Sequence, residues 1–439
     1  MRVKSSWKAY AELRGERNYW FYLASGLLGR LGDSIDAMAY SWIAYQITGS
    51  AVWLTVIAGV NAIPTVVITP LVAPLVERMD KKRVMMVTGF VRAGLVLLTG
   101  IVMSLGWLTG PLLLITTFLM SVSESFADPA YMACIPKLLP QDKLDTALAL
   151  RTTVYQAAQL IGKGLAGVVL GVLGGGGALV ADGTLFVFST LLVGFLHLKS
   201  SSETRAGEEP GYLRRLTDGF AYFKTHDTLV FLSLSGVLLS VLIAPFGQLQ
   251  TAYVADTLRL DAYALSVLGV GTSAGMLIGS VVYPLLKGRL TLRRALGGCL
   301  GAFAGAYFLG CLLSLLPGFL WLQYAGLLAL GLAQAFALSL FSLMINVLFF
   351  RVIEEAYLSR MASLFNAMTS LSVPVASLLT GGLVSFLPVL GVFGIAGVLS
   401  AVAMLILPQI QSARKLDAML QTQPNEKEAP CEDPLSTAD

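Results

Sequence analysis

Of 439 residues, 56% are hydrophobic and only 13% are charged, about half of the roughly 25% carried by a soluble globular chain. Most of the sequence therefore belongs in lipid, which excludes an ordinary soluble enzyme. The net charge of +4 is no nucleic-acid footprint, because the basic residues fall in short loops beside apolar runs, where they orient a membrane protein.

The chain opens on a polar, basic segment, residues 1–17. The apolar run after it is too long for a signal-peptide core and reads as an uncleaved first membrane helix. At about 20 apolar residues per span, the sequence predicts twelve helices, near 19–46, 51–76, 84–106, 112–135, 144–173, 178–198, 227–252, 262–286, 295–316, 319–348, 359–386 and 388–408. Between the second and third, Glu77, Arg78, Asp80, Lys81, Lys82 and Arg83 make a dense charged hairpin loop. Its excess of cations places it in the cytoplasm. One long polar insertion, 199–225, divides the helices six and six. The predicted domains are thus a first half at 1–198, a linker at 199–225, a second half at 226–408 and a disordered tail at 409–439. A faint repeat agrees: a shift of 210 lays Pro74-Leu75 over Pro284-Leu285 and Arg83 over Arg293. Twelve spans bring both termini to one side. With that side cytoplasmic, 26 of the 30 Lys and Arg lie in inside segments and Arg259 alone in an outside loop. The expected fold is all-α, with both termini in the cytoplasm of a cell-membrane protein.

Charges within a membrane helix are costly and mark function by default. In the first helix Arg30, Asp33 and Asp36 share a face at i, i+3, i+6. Burial favours the neutral form of a carboxyl and a nearby cation its charged form, so such a group suits proton coupling. The bland reading is a structural Arg30–Asp33 pair. Helix 4 carries Glu124 and Asp128 on one face. Asp128, before Pro129, reads best as satisfying backbone freed by the kink, and Glu124 as a cavity residue. Lys163 lies deep in helix 5, among Gly164, Gly167 and Gly171. It reads either as a counter-ion for Glu124 or a helix 1 aspartate, or as a contact for an anionic substrate. Arg92 reads as snorkelling to the loop or pairing with Glu77 or Asp80. Cys134, Cys299, Cys311 and Cys431 form no C-x-x-C pair, and with two His they predict no metal site. Gly162-Lys163-Gly164 is no P-loop, so uphill transport needs an ion gradient or a partner. No cofactor is expected.

These residues resemble the major facilitator superfamily over all twelve helices. The family's loop motif is roughly G-x-x-x-D-R-x-G-R-R. Here Glu77-Arg78 stands at the D-R and Lys82-Arg83 closes it, while Ala73 and Asp80 replace the glycines. The Asp80 variant, with Leu31-Gly32-Asp33, Thr48-Gly49-Ser50, Pro129-Ala130, Ile135-Pro136 and Leu148-Ala149, is similar to the branch of macrolide-efflux and enterobactin-export proteins. The resemblance implies a cytoplasmic gate latched by Glu77, Arg78 and Arg83. It departs at helix 5, where Lys163 stands in place of the antiporter G-P, and Pro374 with Gly381-Gly382 appears on helix 11. The function implied is proton-coupled export of amphipathic small molecules by a monomer, with Arg30, Asp33, Asp36, Glu124, Asp128 and Lys163 as proton or substrate candidates. A siderophore or lysolipid transporter is the alternative, and a non-transporting scaffold or receptor the reading of another class.

Overall fold

The computed structural model describes residues 13–197, 227–286, 291–353 and 355–421, and among them the chain is all-helical. The linker predicted at 199–225 lies outside the described residues. Helices α1 (Arg17–Thr48), α2 (Ala51–Arg78), α3 (Lys81–Ser104), α4 (Gly110–Leu138) and α5 (Gln141–Gly194) form an N-terminal set. Helices α6 (Asp227–Ala252), α7 (Ala262–Leu286), α8 (Leu292–Leu313), α9 (Leu320–Val352), α10 (Glu355–Phe386) and α11 (Val389–Ile406) form a C-terminal set, and α12 (Gln411–Gln421) closes the described chain. Ten of these helices are long and apolar enough to cross a membrane. At 32 residues α1 is long enough too, but it carries Arg30, Asp33 and Asp36.

The 54-residue α5 is two arms, not one rod. Gly174, at φ 68 and ψ 176, leaves helical space in a region that a side chain disfavours. The chain reverses there. Moving up α1, the first arm is met at rising numbers, Tyr155 beside Gly26 and then Gly162 beside Ser34. The second arm is met at falling numbers, with Ser189 hydrogen-bonded to Ser25 and Asp182 beside Gly32. The boundaries predicted at 144–173 and 178–198 straddle this reversal.

The bundle has two distinct ends. At the near end, where α1 begins, the buried apolar residues form two separate clusters. One runs from Leu13 to Leu196 and the other from Leu229 to Leu416. At the far end the clusters join the sets: Ile35, Met38 and Ala166 pack with Phe246, Tyr253 and Leu265, and Ala39 and Ile43 with Ala252 and Ala262. The sets meet along α2–α10 and α5–α7. Gly167 makes the second seam close, since a Cβ there would stand 2.8 Å from the Ala262 carbonyl oxygen. Thr251 and Ser41 hydrogen-bond across the far end at 3.1 Å, and the Tyr45 hydroxyl donates to Asp256.

The tail differs from its polar composition. Residues 411–421 form α12, and Asp417 accepts from the backbone N–H of Leu292 at 2.6 Å and of Arg293 at 3.4 Å. A short helix is held by this docking, because it satisfies donors that the start of α8 would otherwise leave orphaned.

Candidate functional site

Arg92, in the middle of α3, is the centre of the site. Its guanidinium lies 2.7 Å from Asp33 and 3.2 Å from Glu124, and sits 4.3 Å over the ring of Phe186. This corrects the expectation that Arg92 snorkels to the loop or pairs with Glu77 or Asp80. A guanidinium only 12% exposed gains more from two carboxylates and a ring face than its length would gain by stretching along an apolar helix. Arg30 completes the chain of charges at 3.4 Å from Asp33, and its other side lies 5.5 Å over the ring of Tyr155.

Two cavities meet at Arg92 and Asp33. The larger, about 350 Å³, is also lined by Asp36, Tyr40, Asn61, Glu124 and by Gln248 of α6. The smaller, about 70 Å³, lies toward the near end and is lined by Arg30, Asp128, Tyr131, Arg151 and Tyr155. Arg92 and Asp33 thus form the partition between a far-side and a near-side space. Arg151 lies 4.4 Å from the centre of the Tyr155 ring, in the same cavity as the Arg30 guanidinium.

The structure brings Arg30, Asp33, Asp36 and Glu124 together and sets Asp128 beside them in the smaller cavity. Lys163 stands apart. Its Nζ is 3.5 Å from the Thr272 hydroxyl of α7, on the seam between the sets. The counter-ion reading for Glu124 or a helix 1 aspartate therefore does not describe it: the side chain packs on α7, against Gly269 and Thr272. Asp182, on the second arm of α5, was missed by sequence reasoning. It is fully buried beside Asp36 and Gly32. The signal was available, since a carboxylate within the apolar run 178–198 meets the rule that singled out the others.

The described contacts of the loop residues lie within the N-terminal set. Asp80 caps α3, accepting from the N–H of Lys82 at 3.0 Å and of Arg83 at 3.4 Å. Lys82 donates to the carbonyls of Gly194 and Leu196 at 2.6 and 2.8 Å, which ties the end of α5 to the start of α3. Arg83 reaches Asp80 at 3.6 Å on the surface, and Arg78 is exposed. The side chain of Glu77 lies outside the described ones.

Residues 7–435 match the family model described as "Transmembrane secretion effector". The chain is 24% identical to macrolide efflux protein A of Streptococcus pyogenes over 390 residues, 88% of this chain and 94% of that one. It is 23% identical to the multidrug efflux pump Tap of Mycolicibacterium fortuitum over 281 residues, 62% of this chain and 68% of that one. Its fold is similar to the crystal structure of the nucleoside transporter NupG, with a TM-score of 0.71, 12% identity, and coverage of 92% of this chain and 100% of that one.

Proposed function

From the premise that the chain belongs to the transmembrane secretion effector family of MFS-type transporters, we propose that it exports amphipathic small molecules of the macrolide or multidrug kind in exchange for protons. The observation that carries this is Arg92, held by Asp33 and Glu124 in the partition between two cavities. An ionic partition of that kind can trade partners as protons or substrate arrive. The cavity walls supply the rest: apolar surface for an amphipathic body, with Glu124 exposed enough to meet a cationic group.

Twelve spans in two halves follow if the arms of α5 are counted separately and α1 is included. Supporting this, pairings of the first six recur six spans on. Helix α2 packs on α4 as α7 packs on α9. Likewise α3 packs on α4 and on α5 as α8 packs on α9 and α11. The near end is cytoplasmic in this reading, supported by the 26 of 30 cations on that side, so the structure is open inward and closed outward. Lys163 on the α5–α7 seam favours a second reading, an anionic amphiphile such as a siderophore or lysolipid. The test is uptake into inside-out proteoliposomes with an imposed pH gradient, using ethidium and a radiolabelled macrolide. Accumulation that collapses with a protonophore is expected. Accumulation indifferent to the gradient overturns proton exchange, and no uptake of either probe overturns the substrate class.

A further inference from the structure

Asp182 is used nowhere in that reading, yet it is the most deeply buried carboxyl of the site at 0% exposure. Neither of its oxygens reaches a hydrogen-bond donor, and Oδ1 of Asp36 reaches none either. Their carboxyls are neighbours. Two carboxylates cannot hydrogen-bond to each other, whereas a carboxylic acid and a carboxylate can, so one shared proton gives each a partner. The site is built around this approach. Gly32 leaves room for it, since a Cβ there would stand 2.7 Å from Oδ1 of Asp182. One turn on, Phe186 carries the Arg92 guanidinium, whose Nε also has no partner. The titratable and charged groups facing the pair are Asp33 and Tyr40 of α1, Arg92 of α3 and Glu124 of α4. Charge points the same way: the two cavities and Asp182 hold five carboxyls, Asp33, Asp36, Glu124, Asp128 and Asp182, against three guanidiniums, Arg30, Arg92 and Arg151, so one bound proton cuts an excess of two negative charges to one.

We propose that Asp36 and Asp182 hold between them the single proton that drives transport, a proposal that rests on the proton-exchange reading above. Asp36 lines the larger cavity and takes the proton from water there, forming one O–H bond that donates to Asp182. On release that O–H bond breaks and the proton returns to water. Two carboxylates then face Arg92, whose free Nε is drawn to them and away from the partition with Asp33 and Glu124. Proton loss is thereby linked to opening between the cavities, with no redox partner or other reactant needed.

The experiment compares the full-length parent, Asp182→Asn and Asp182→Glu in the proteoliposome assay with ethidium, and follows proton release on ethidium binding with a pH-indicator dye. The parent is expected to require the gradient. Asp182→Asn is expected to lose both gradient-driven accumulation and proton release. Asp182→Glu, which keeps a titratable group in altered geometry, is expected to keep accumulation with a shifted pH midpoint. A parent indifferent to the gradient sinks the proton-exchange reading itself. A gradient-dependent parent with an Asp182→Asn variant that still releases protons and accumulates dye sinks only the Asp36–Asp182 site. Should Asp182→Asn not fold, an unshifted midpoint in Asp182→Glu has the same force.

Discussion

Arg92 shows what a single residue decides here. Replacing it by Gln leaves Asp33 and Glu124 without their shared counter-charge. Deleting one partner of a fully buried pair costs about 3–5 kcal/mol. Asp33 and Glu124 are 25% and 44% exposed, so water recovers part of this and about 2 kcal/mol is expected. The thermal midpoint of Arg92→Gln in detergent should fall, and adding Asp33→Asn should recover part of the loss by removing the stranded charge. An unchanged midpoint would mean that the pairs contribute nothing. Glu124→Gln keeps the shape of the contact with Arg92 but removes a charge from the cavity, so ethidium transport should fall more than transport of a neutral probe, measured in the same vesicles. Equal losses would remove Glu124 from substrate choice. Little of this was readable in advance for Arg92, because its partner Asp33 lies 59 positions away and proximity to the loop offered a nearer explanation. The aspartates of α1 were readable, since a charge in an apolar run has no cheap structural excuse.

At the scale of elements, helix ends carry the testable claims. Asp80 caps α3, so Asp80→Ala should lower stability by about 1 kcal/mol, while the exposed Arg83–Asp80 pair is worth about 0–1 kcal/mol. If the loop latches a gate, both Asp80→Ala and Arg83→Ala should slow transport, but only the first should move the unfolding midpoint clearly. Transport at the parent rate in both variants would end the gate role. Asp417→Ala should cost α8 its first-turn acceptor, again about 1 kcal/mol, and speed hydrogen exchange at Leu292 and Arg293. Unchanged exchange would show that α12 does not hold that turn. The apolar runs made the spanning helices legible to within a few residues, and the break between the runs 144–173 and 178–198 fell at the reversal in α5. Helix α12 was not legible, because 11 polar-rich residues carry no span-length signal and its order comes from a contact 125 positions away.

For the whole molecule, the contrast between the ends sets the functional state. Among the described residues, apolar clusters join the sets at the far end and stay apart at the near end, so the far side is closed and the near side is not sealed by them. That the chain carries a set of helices on either side of a polar insertion was legible in the sequence. Which end is closed was not, because closure depends on contacts such as Met38 with Ser266, which no local pattern encodes. Alternating access requires the far-end seam to part in each cycle. The hydroxyls of Ser41 and Thr251 lie 3.1 Å apart across it, close enough for the corresponding cysteines to approach disulfide geometry. In a background without Cys134, Cys299, Cys311 and Cys431, the Ser41→Cys, Thr251→Cys double variant should stop transporting once oxidised and recover with reductant, with cross-linking scored after cleavage within residues 199–225. Each single variant should be indifferent to oxidant. A cross-linked protein that transports at its reduced rate would show that the far end stays closed throughout, and the substrate would then need a route other than the seam between the two sets.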